Sequence, residues 1–202
     1  MREPALSSIE LMLATDFQPF SGPEWIFEFK YDGYRMLASK SQLLTRQKKN
    51  ATTWFPETIL ALQELRGSFV LEGEICLLDQ RGVPQFDRMR GRVRLKGGDL
   101  VTYCVFDLLF QNGRDLRELP LLERKDRLGK LIPVDDPQLK YIEHLEAEGI
   151  EMFKIAASVG MEGVVGKRAD SPYVAGRSRL WLKAKQPGFH DGWERPKSRE
   201  HA

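Results

Sequence analysis

The chain has 202 residues, enough for one large domain or two small ones with a sizeable core. Its 42% hydrophobic and 30% charged residues are typical of a soluble globular protein, and no apolar run approaches the length of a membrane helix. The net charge of +2 neither favours nor excludes nucleic acid, which needs only a local basic surface. The N-terminus shows no signal-peptide pattern, so we expect a cytoplasmic protein.

The predicted elements are short strands with a few interspersed helices. Residues 1–24 are expected to form an extended approach segment broken by prolines. Strands are predicted near 25–30, 34–39, 42–46, 69–78, 100–106, 163–167 and 180–185, and helices over about 56–66, 120–131 and 146–159. This order predicts an α+β fold with mostly antiparallel sheets, followed by a polar tail at 186–202. Cys76 and Cys104 lie among apolar neighbours and are interpreted as buried free thiols.

The first predicted strand ends in a lysine ahead of an Asp-Gly turn. Trp25, Phe27 and Phe29 recur at period two and are expected in a core, so Lys30 faces the other way, into a partly enclosed pocket. Desolvation favours the neutral amine and makes such a lysine a usable nucleophile. A hairpin with a solvated lysine is the alternative, because lysines beside Asp-Gly turns are common.

Three glutamates are candidate ligands or partners of a cation. Glu72 and Glu74 share an otherwise apolar strand face, which is costly unless they are paired or bind a cation. A half-exposed sheet face would also accommodate them. Glu162 stands at the entry to a later strand, where an exposed carboxylate can reach a metal or merely be solvated.

Lysines, arginines and one aromatic residue complete the candidate set. Lys183 and Lys185 share a strand face and form a positive stripe suited to phosphate oxygens, or they guard an edge strand. Phe106 is expected at a strand end, as a core residue or a base-stacking platform. A basic run consists of Arg88, Arg90, Arg92, Arg94 and Lys96. It could bind a phosphate backbone, or it could be a solvated loop or helix face.

Nucleotidyl transfer needs this combination of a nucleophilic lysine, carboxylates for Mg²⁺ and lysines that neutralise phosphate charge. In this order, the motifs resemble the nucleotidyltransferase (adenylation) domain of ATP-dependent DNA ligases of the bacterial end-joining type, over about 12–185. The run from Lys30 to Arg35 is similar to the family's first motif, whose lysine becomes covalently adenylated. Arg46 falls in an element whose arginine binds phosphate, although the family's usual Arg-Asn-Gly turn is absent here.

The later motifs resemble the family segment by segment. Residues 71–74 are similar to the third motif, which implies that Glu74 lies near the ribose or a metal. Residues 105–109 resemble the segment whose aromatic, here Phe106, stacks on adenine. Residues 162–168 resemble the fourth motif and imply metal binding by Glu162. Residues 171–185 resemble the fifth, whose lysines, Lys183 and Lys185, contact the α-phosphate.

The resemblance implies a DNA-ligase-type nucleotidyltransferase domain over 1–185, with mostly antiparallel sheets, flanking helices and a nucleotide cleft. The implied cofactors are ATP and Mg²⁺ or Mn²⁺, with the metal on Glu74 and Glu162. The implied nucleotide-binding residues are Glu28, Asp32, Arg35, Arg46, Glu74, Phe106, Lys183 and Lys185. Family members continue into an OB-fold domain, and we expect none within these 202 residues.

The implied reaction has three steps: Lys30 attacks ATP to form lysyl-AMP, AMP moves to a DNA 5′-phosphate, and a 3′-hydroxyl displaces AMP and seals the nick. The implied partners are nicked duplex DNA and either end-joining or repair proteins or an OB-fold domain supplied elsewhere. The implied location is the bacterial nucleoid, with no membrane partner. RNA ligation or mRNA capping shares the motif order and is an alternative. A second alternative is a non-catalytic or degenerate nucleic-acid-binding module that uses the basic run at 88–96.

Overall fold

The structure, a computed structural model, describes residues 3–95 and 100–189. A short 3-10 helix, Leu6–Ser8, precedes the first strand. The strands are β1 (Met12–Asp16), β2 (Gly22–Phe29), β3 (Tyr34–Ala38), β4 (Leu43–Thr45), β5 (Phe69–Cys76), β6 (Thr102–Gln111), β7 (Arg114–Asp115), β8 (Leu139–Tyr141), β9 (Leu145–Ala147), β10 (Gly163–Arg168) and β11 (Gly176–Lys185). The helices are α1 (Pro56–Glu64), α2 (Phe86–Leu95), α3 (Leu121–Leu131) and α4 (Gly149–Val159).

The strands form two sheets. The first has the order β1-β11-β10-β2-β9, and the second has the order β4-β3-β5-β6-β7, with β8 beside β6. The pairings are antiparallel except for β1 with β11 and β6 with β8. The α+β class with mostly antiparallel sheets is therefore confirmed. Within the described residues, no helix has the length and apolar content needed to cross a membrane.

Apolar clusters pack against both sheets, and one of them joins the two sheets. Phe27 packs with Met152 and Ala156 of α4, with Trp25 and Phe29 beside them, so the core face predicted for β2 is confirmed. A larger cluster packs β3, β5 and β6 against α1 and α3. A third cluster joins the sheets and contains Met12, Leu37, Val70, Leu109 and Trp181. The inner faces of the sheets are thus held together at this cluster and leave a cleft beside it.

Several predicted element bounds were wrong. The approach segment 1–24 contains β1, and β8 was not predicted at all. The helix expected from 146 begins at Gly149, because Ala147 has a φ of 62° that a helix cannot contain and β9 occupies this stretch. A Cβ on Gly149 would lie 2.1 Å from the Phe20 carbonyl oxygen and 2.2 Å from the Phe27 ring, so only glycine lets the helix start pack here. The predicted C-terminal stop at Gly160, with φ 85°, is confirmed.

Candidate active site

The cleft between the two sheets has a volume of about 710 Å³. Both sheets line it, so its side chains come from segments far apart in sequence. Its lining includes the predicted nucleophile Lys30 and most residues predicted to bind nucleotide, namely Glu28, Asp32, Arg35, Arg46, Glu74, Phe106 and Lys183. We call the part near Glu28 and Phe106, where the resemblance predicts the adenine, the base end, and the part near Lys30 and Lys183, where it predicts the phosphates, the phosphate end.

Lys30 stands directly after β2, where its backbone N–H still donates to the Gly163 carbonyl oxygen at 2.9 Å. Its Nζ donates to Glu162 Oε2 at 2.5 Å, and its side chain is 20% exposed. Lys185 Nζ lies 3.1 Å from the other oxygen of Glu162, Oε1. The prediction of an exposed carboxylate at Glu162 was wrong, because these two ammonium groups cover it and leave it buried.

A second carboxylate, Glu74 of β5, lines the same cleft. Burial raises the pKa of Glu74 to about 8, although the positive charges of Lys30 and Arg35 oppose this rise. A bound cation would relieve the cost of ionising such a group. Among the described residues, no cluster of three or more acidic, histidine or cysteine side chains could hold a metal ion. Mg²⁺ needs only one or two carboxylates beside phosphate and water oxygens, so Glu74 and Glu162 fit it.

Phe106 reaches the cleft through a β-bulge in β6. Val105 pairs with Gly73 and Asp107 pairs with Glu72, so Phe106 has no partner opposite it on β5. A bulge re-aims the side chain of the extra residue. The prediction that Phe106 ends its strand was wrong, because β6 continues past the bulge to Gln111.

The base end also contains a buried ionic triad of Glu28, Lys125 and Lys167. Lys125 Nζ donates to Glu28 Oε1 at 2.5 Å, and Lys167 Nζ lies 2.6 Å from Glu28 Oε2. All three side chains are at most 3% exposed. Burial lowers the pKa of Lys167, which the charge of Glu28 opposes. The sequence did not single out either lysine, and its only signal was that a buried Glu28 must find a partner.

Arg35 and Glu72 form a second buried network at the wall of the cleft. Arg35 Nε donates to Glu72 Oε1 at 2.8 Å, and its Nη2 donates to the Met12 carbonyl oxygen at 2.6 Å. Tyr173 donates its hydroxyl to Glu72 Oε2 at 2.8 Å. Glu72 is therefore paired, as its buried position requires. The Arg35 guanidinium ties β3 to β1 and β5, and its nucleotide contact stays a prediction.

At the phosphate end, Lys183 lines the cleft and its Nζ lies 3.2 Å from Asp16 Oδ1. On β10, Val165 lies opposite Lys183 and Gly163 lies opposite Lys185. The two lysines are two positions apart on β11, so they lie on the same face of the strand. Arg46 also lines this end, together with Lys49 and Arg177. Of the two lysines expected beside Lys30, Lys183 lines the cleft with it, whereas Lys185 does not line the cleft and reaches the Lys30 partner Glu162.

The predicted basic run lies on α2, which begins at the cleft. Phe86 lines the cleft, and its ring centroid lies 6.1 Å from that of Tyr34. Arg88 and Arg90 are exposed. The side chains of Arg92 and Arg94, and all of Lys96, lie outside the described residues, so DNA binding by this run stays a prediction. Cys76 and Cys104 are buried free thiols, as predicted.

Comparison with known proteins agrees with this geometry. The model of the ATP dependent DNA ligase domain family matches residues 4–185. The SPbeta prophage-derived DNA ligase-like protein LigB of Bacillus subtilis is 34% identical over 179 residues, which cover 86% of this chain and 65% of LigB. The multifunctional non-homologous end joining protein LigD of Pseudomonas aeruginosa is 36% identical over 196 residues, 91% of this chain and 23% of LigD.

Solved structures show the same likeness. A mycobacterial DNA ligase D complexed with ATP and MES has a TM-score of 0.78 and 32% identity, covering 90% of this chain and 61% of that one. The ligase domain of Mycobacterium tuberculosis LigD has a TM-score of 0.77 and 31% identity, covering 90% and 62%. The chain thus spans less than two thirds of the length of these relatives and structures. The chain belongs to the ATP dependent DNA ligase domain family.

Proposed function

We propose that the cleft attaches AMP from ATP to Lys30 and passes it to the 5′-phosphate of nicked duplex DNA, which a 3′-hydroxyl then seals. The observation that carries the proposal is the position of the Lys30 amine. It lies in a cavity of nucleotide size, 2.5 Å from Glu162 and beside the lysine face of β11. The family match over 4–185 supports the same chemistry.

The first step is attack of Lys30 Nζ on the α-phosphorus, which forms an N–P bond and breaks the bond to the pyrophosphate oxygen. Lys30 must give up a proton before its lone pair can attack, and Glu162 Oε2 is the acceptor in contact with it. Lys183 and Lys185 face the developing negative charge. Glu74 and Glu162 would hold Mg²⁺, which neutralises phosphate charge when bound.

DNA must then present its 5′-phosphate at the open side of the cleft. Exposed Arg88 and Arg90 on α2 stand next to the cleft residue Phe86 and provide positive charge for the backbone. Binding through phosphates weakens steeply with salt, so the basic run predicts salt-sensitive DNA affinity. End-joining or repair proteins are the proposed partners, by analogy with the non-homologous end joining protein LigD, and the bacterial nucleoid is the proposed place of action.

The test compares sealing from ATP with sealing of a nick that already carries a 5′-AMP. The parent protein should seal both, with Mg²⁺ present. Lys30→Ala should fail with ATP but seal the pre-adenylated nick, because the last step needs no bond to Lys30. Lys154→Ala, which changes an exposed lysine on α4, is the control and should behave as the parent.

Three outcomes would contradict the proposal. Sealing from ATP by Lys30→Ala would remove Lys30 from the reaction. A parent protein that binds DNA but seals neither nick would support a non-catalytic binding module. Transfer of AMP to RNA ends in preference to DNA ends would support the RNA-ligase alternative.

A further inference from the structure

We propose that Lys125 on α3 is a positioning residue that makes the cleft select 6-aminopurine over 6-oxopurine nucleotides. The inference rests on the proposed function in one respect, since it requires a purine nucleotide at the base end of the cleft. It adds a residue outside the cleft that determines which purine is accepted.

Lys125 does not line the cleft, but its ammonium group holds two residues that do. Its Nζ donates to Glu28 Oε1 at 2.5 Å and to the Ile142 carbonyl oxygen at 2.7 Å. The same Nζ lies 4.5 Å from the centroid of the Tyr141 ring, and the side chain is 1% exposed. One buried cation therefore fixes both the carboxylate from the first sheet and the backbone segment after β8.

Glu28 is placed to meet the edge of a base. Lys167, which binds the other oxygen of Glu28, has its Nζ 4.4 Å from the centroid of the Phe106 ring. The carboxylate is thus one ammonium group away from the ring on which a base would stack. A purine lying on Phe106 would present part of its polar edge toward Glu28.

The orientation of the Glu28 carboxylate then decides which edge is accepted. An ionised carboxylate is an acceptor only, so it can receive a hydrogen bond from a 6-amino group and opposes a 6-oxo oxygen. Two ammonium groups, one on each oxygen, hold the Glu28 carboxylate in place. Without Lys125, Glu28 retains one cation and is freer to turn away from the 6-amino group, which weakens the discrimination against a 6-oxo oxygen.

The test is the preference for ATP over ITP, in which an oxygen replaces the 6-amino group. Initial rates of lysyl-nucleotide formation would be measured at subsaturating nucleotide for the parent, Lys125→Met and Lys125→Arg. We expect the ATP-to-ITP ratio to fall about tenfold in Lys125→Met, because one hydrogen-bonding discrimination is weakened. Lys125→Arg should restore most of the ratio. Lys130→Met, which changes a 74% exposed lysine of the same helix, should leave it unchanged.

A merely structural role for Lys125 would lower both rates by the same factor, and an unchanged ratio in Lys125→Met would overturn the inference. If Lys125→Met fails to fold, Glu28→Gln replaces it, since an amide can both donate and accept. An unchanged ratio in Glu28→Gln would equally overturn the inference.

Calorimetric binding of ATP and ITP separates this inference from the proposed function, because it needs no chemistry. A parent that forms no lysyl-AMP yet binds ATP more tightly than ITP, with the preference lost in Lys125→Met, would contradict the proposed function and support the inference. Equal binding of ATP and ITP by the parent protein would overturn the inference.

Discussion

The two ends of the cleft each contain a glutamate bound by two lysines, but they differ in how exposed the lysines are. At the base end, Glu28 has one buried lysine on each oxygen, and every member of the triad is at most 3% exposed. At the phosphate end, Lys30 and Lys185 share the single carboxylate of Glu162, and their side chains remain 17–20% exposed. Both ends place one lysine on each oxygen of a single carboxylate, so the difference between them is exposure. A fully buried triad fixes a geometry, whereas partly exposed ammonium groups remain accessible to another anion such as phosphate.

Removal of Arg124 should give the largest effect on stability, because this residue anchors the helix behind the base end. Its guanidinium is fully buried and donates to both oxygens of Asp107, at 2.8 and 3.0 Å. Arg124→Met leaves Asp107 buried without its cation, which should lower the free energy of unfolding by about 3–5 kcal/mol. Urea denaturation measures this loss. The control is Lys130→Met, which removes an exposed lysine of the same helix that pairs with Asp126. Equal stability of the two variants would contradict a fixed base end.

Lys183 at the phosphate end should show the reverse behaviour. Lys183 pairs with Asp16, whose side chain is 73% exposed, so Lys183→Met should cost less than about 1 kcal/mol of stability. A lost charge-assisted phosphate contact of roughly 1.5–3 kcal/mol should slow formation of lysyl-AMP about 10- to 100-fold. Single-turnover transfer from labelled ATP measures the rate, and Arg179→Met, an exposed change on the same strand, is the control. A full rate in Lys183→Met would show that Lys183 does not contact the phosphate.

Glu74 offers the smallest and most specific effect, a pH dependence. Its pKa of about 8 in the folded protein exceeds the ordinary value of 4.5, so its contribution to stability is complete below about pH 4.5 and is lost as the pH rises through about 8. Glu74→Gln removes this loss, and the free energy of unfolding of the variant relative to the parent should rise by about 1–3 kcal/mol from pH 5.5 to pH 8.

Urea denaturation at the two pH values tests this difference. Glu64→Gln, which changes an exposed carboxylate at the end of α1, should show no such rise. Parallel pH profiles for the parent and Glu74→Gln would mean that Glu74 ionises without penalty, and the electrostatic reason for a cation beside it would be lost.

The sequence predicted what local periodicity controls. Phe27 and Lys30 fall on opposite faces of one strand as their spacing requires, and Gly160 ends α4 with a positive φ. The bulge that turns Phe106 into the cleft depends on pairing with β5 and leaves no local signal. The bond between Lys125 and Glu28 joins residues 97 positions apart, so only the assembled sheets bring the two together.

The central claim is that the cleft makes Lys30 a nucleophile toward ATP, and intact mass spectrometry of the purified protein tests it most directly. After incubation with ATP and Mg²⁺, the parent should gain the mass of one AMP, and peptide mapping should locate it on Lys30. Lys30→Ala should gain nothing, while Lys154→Ala should gain one AMP as the parent does. An unmodified parent, or an AMP mapped to a lysine other than Lys30, would contradict the account.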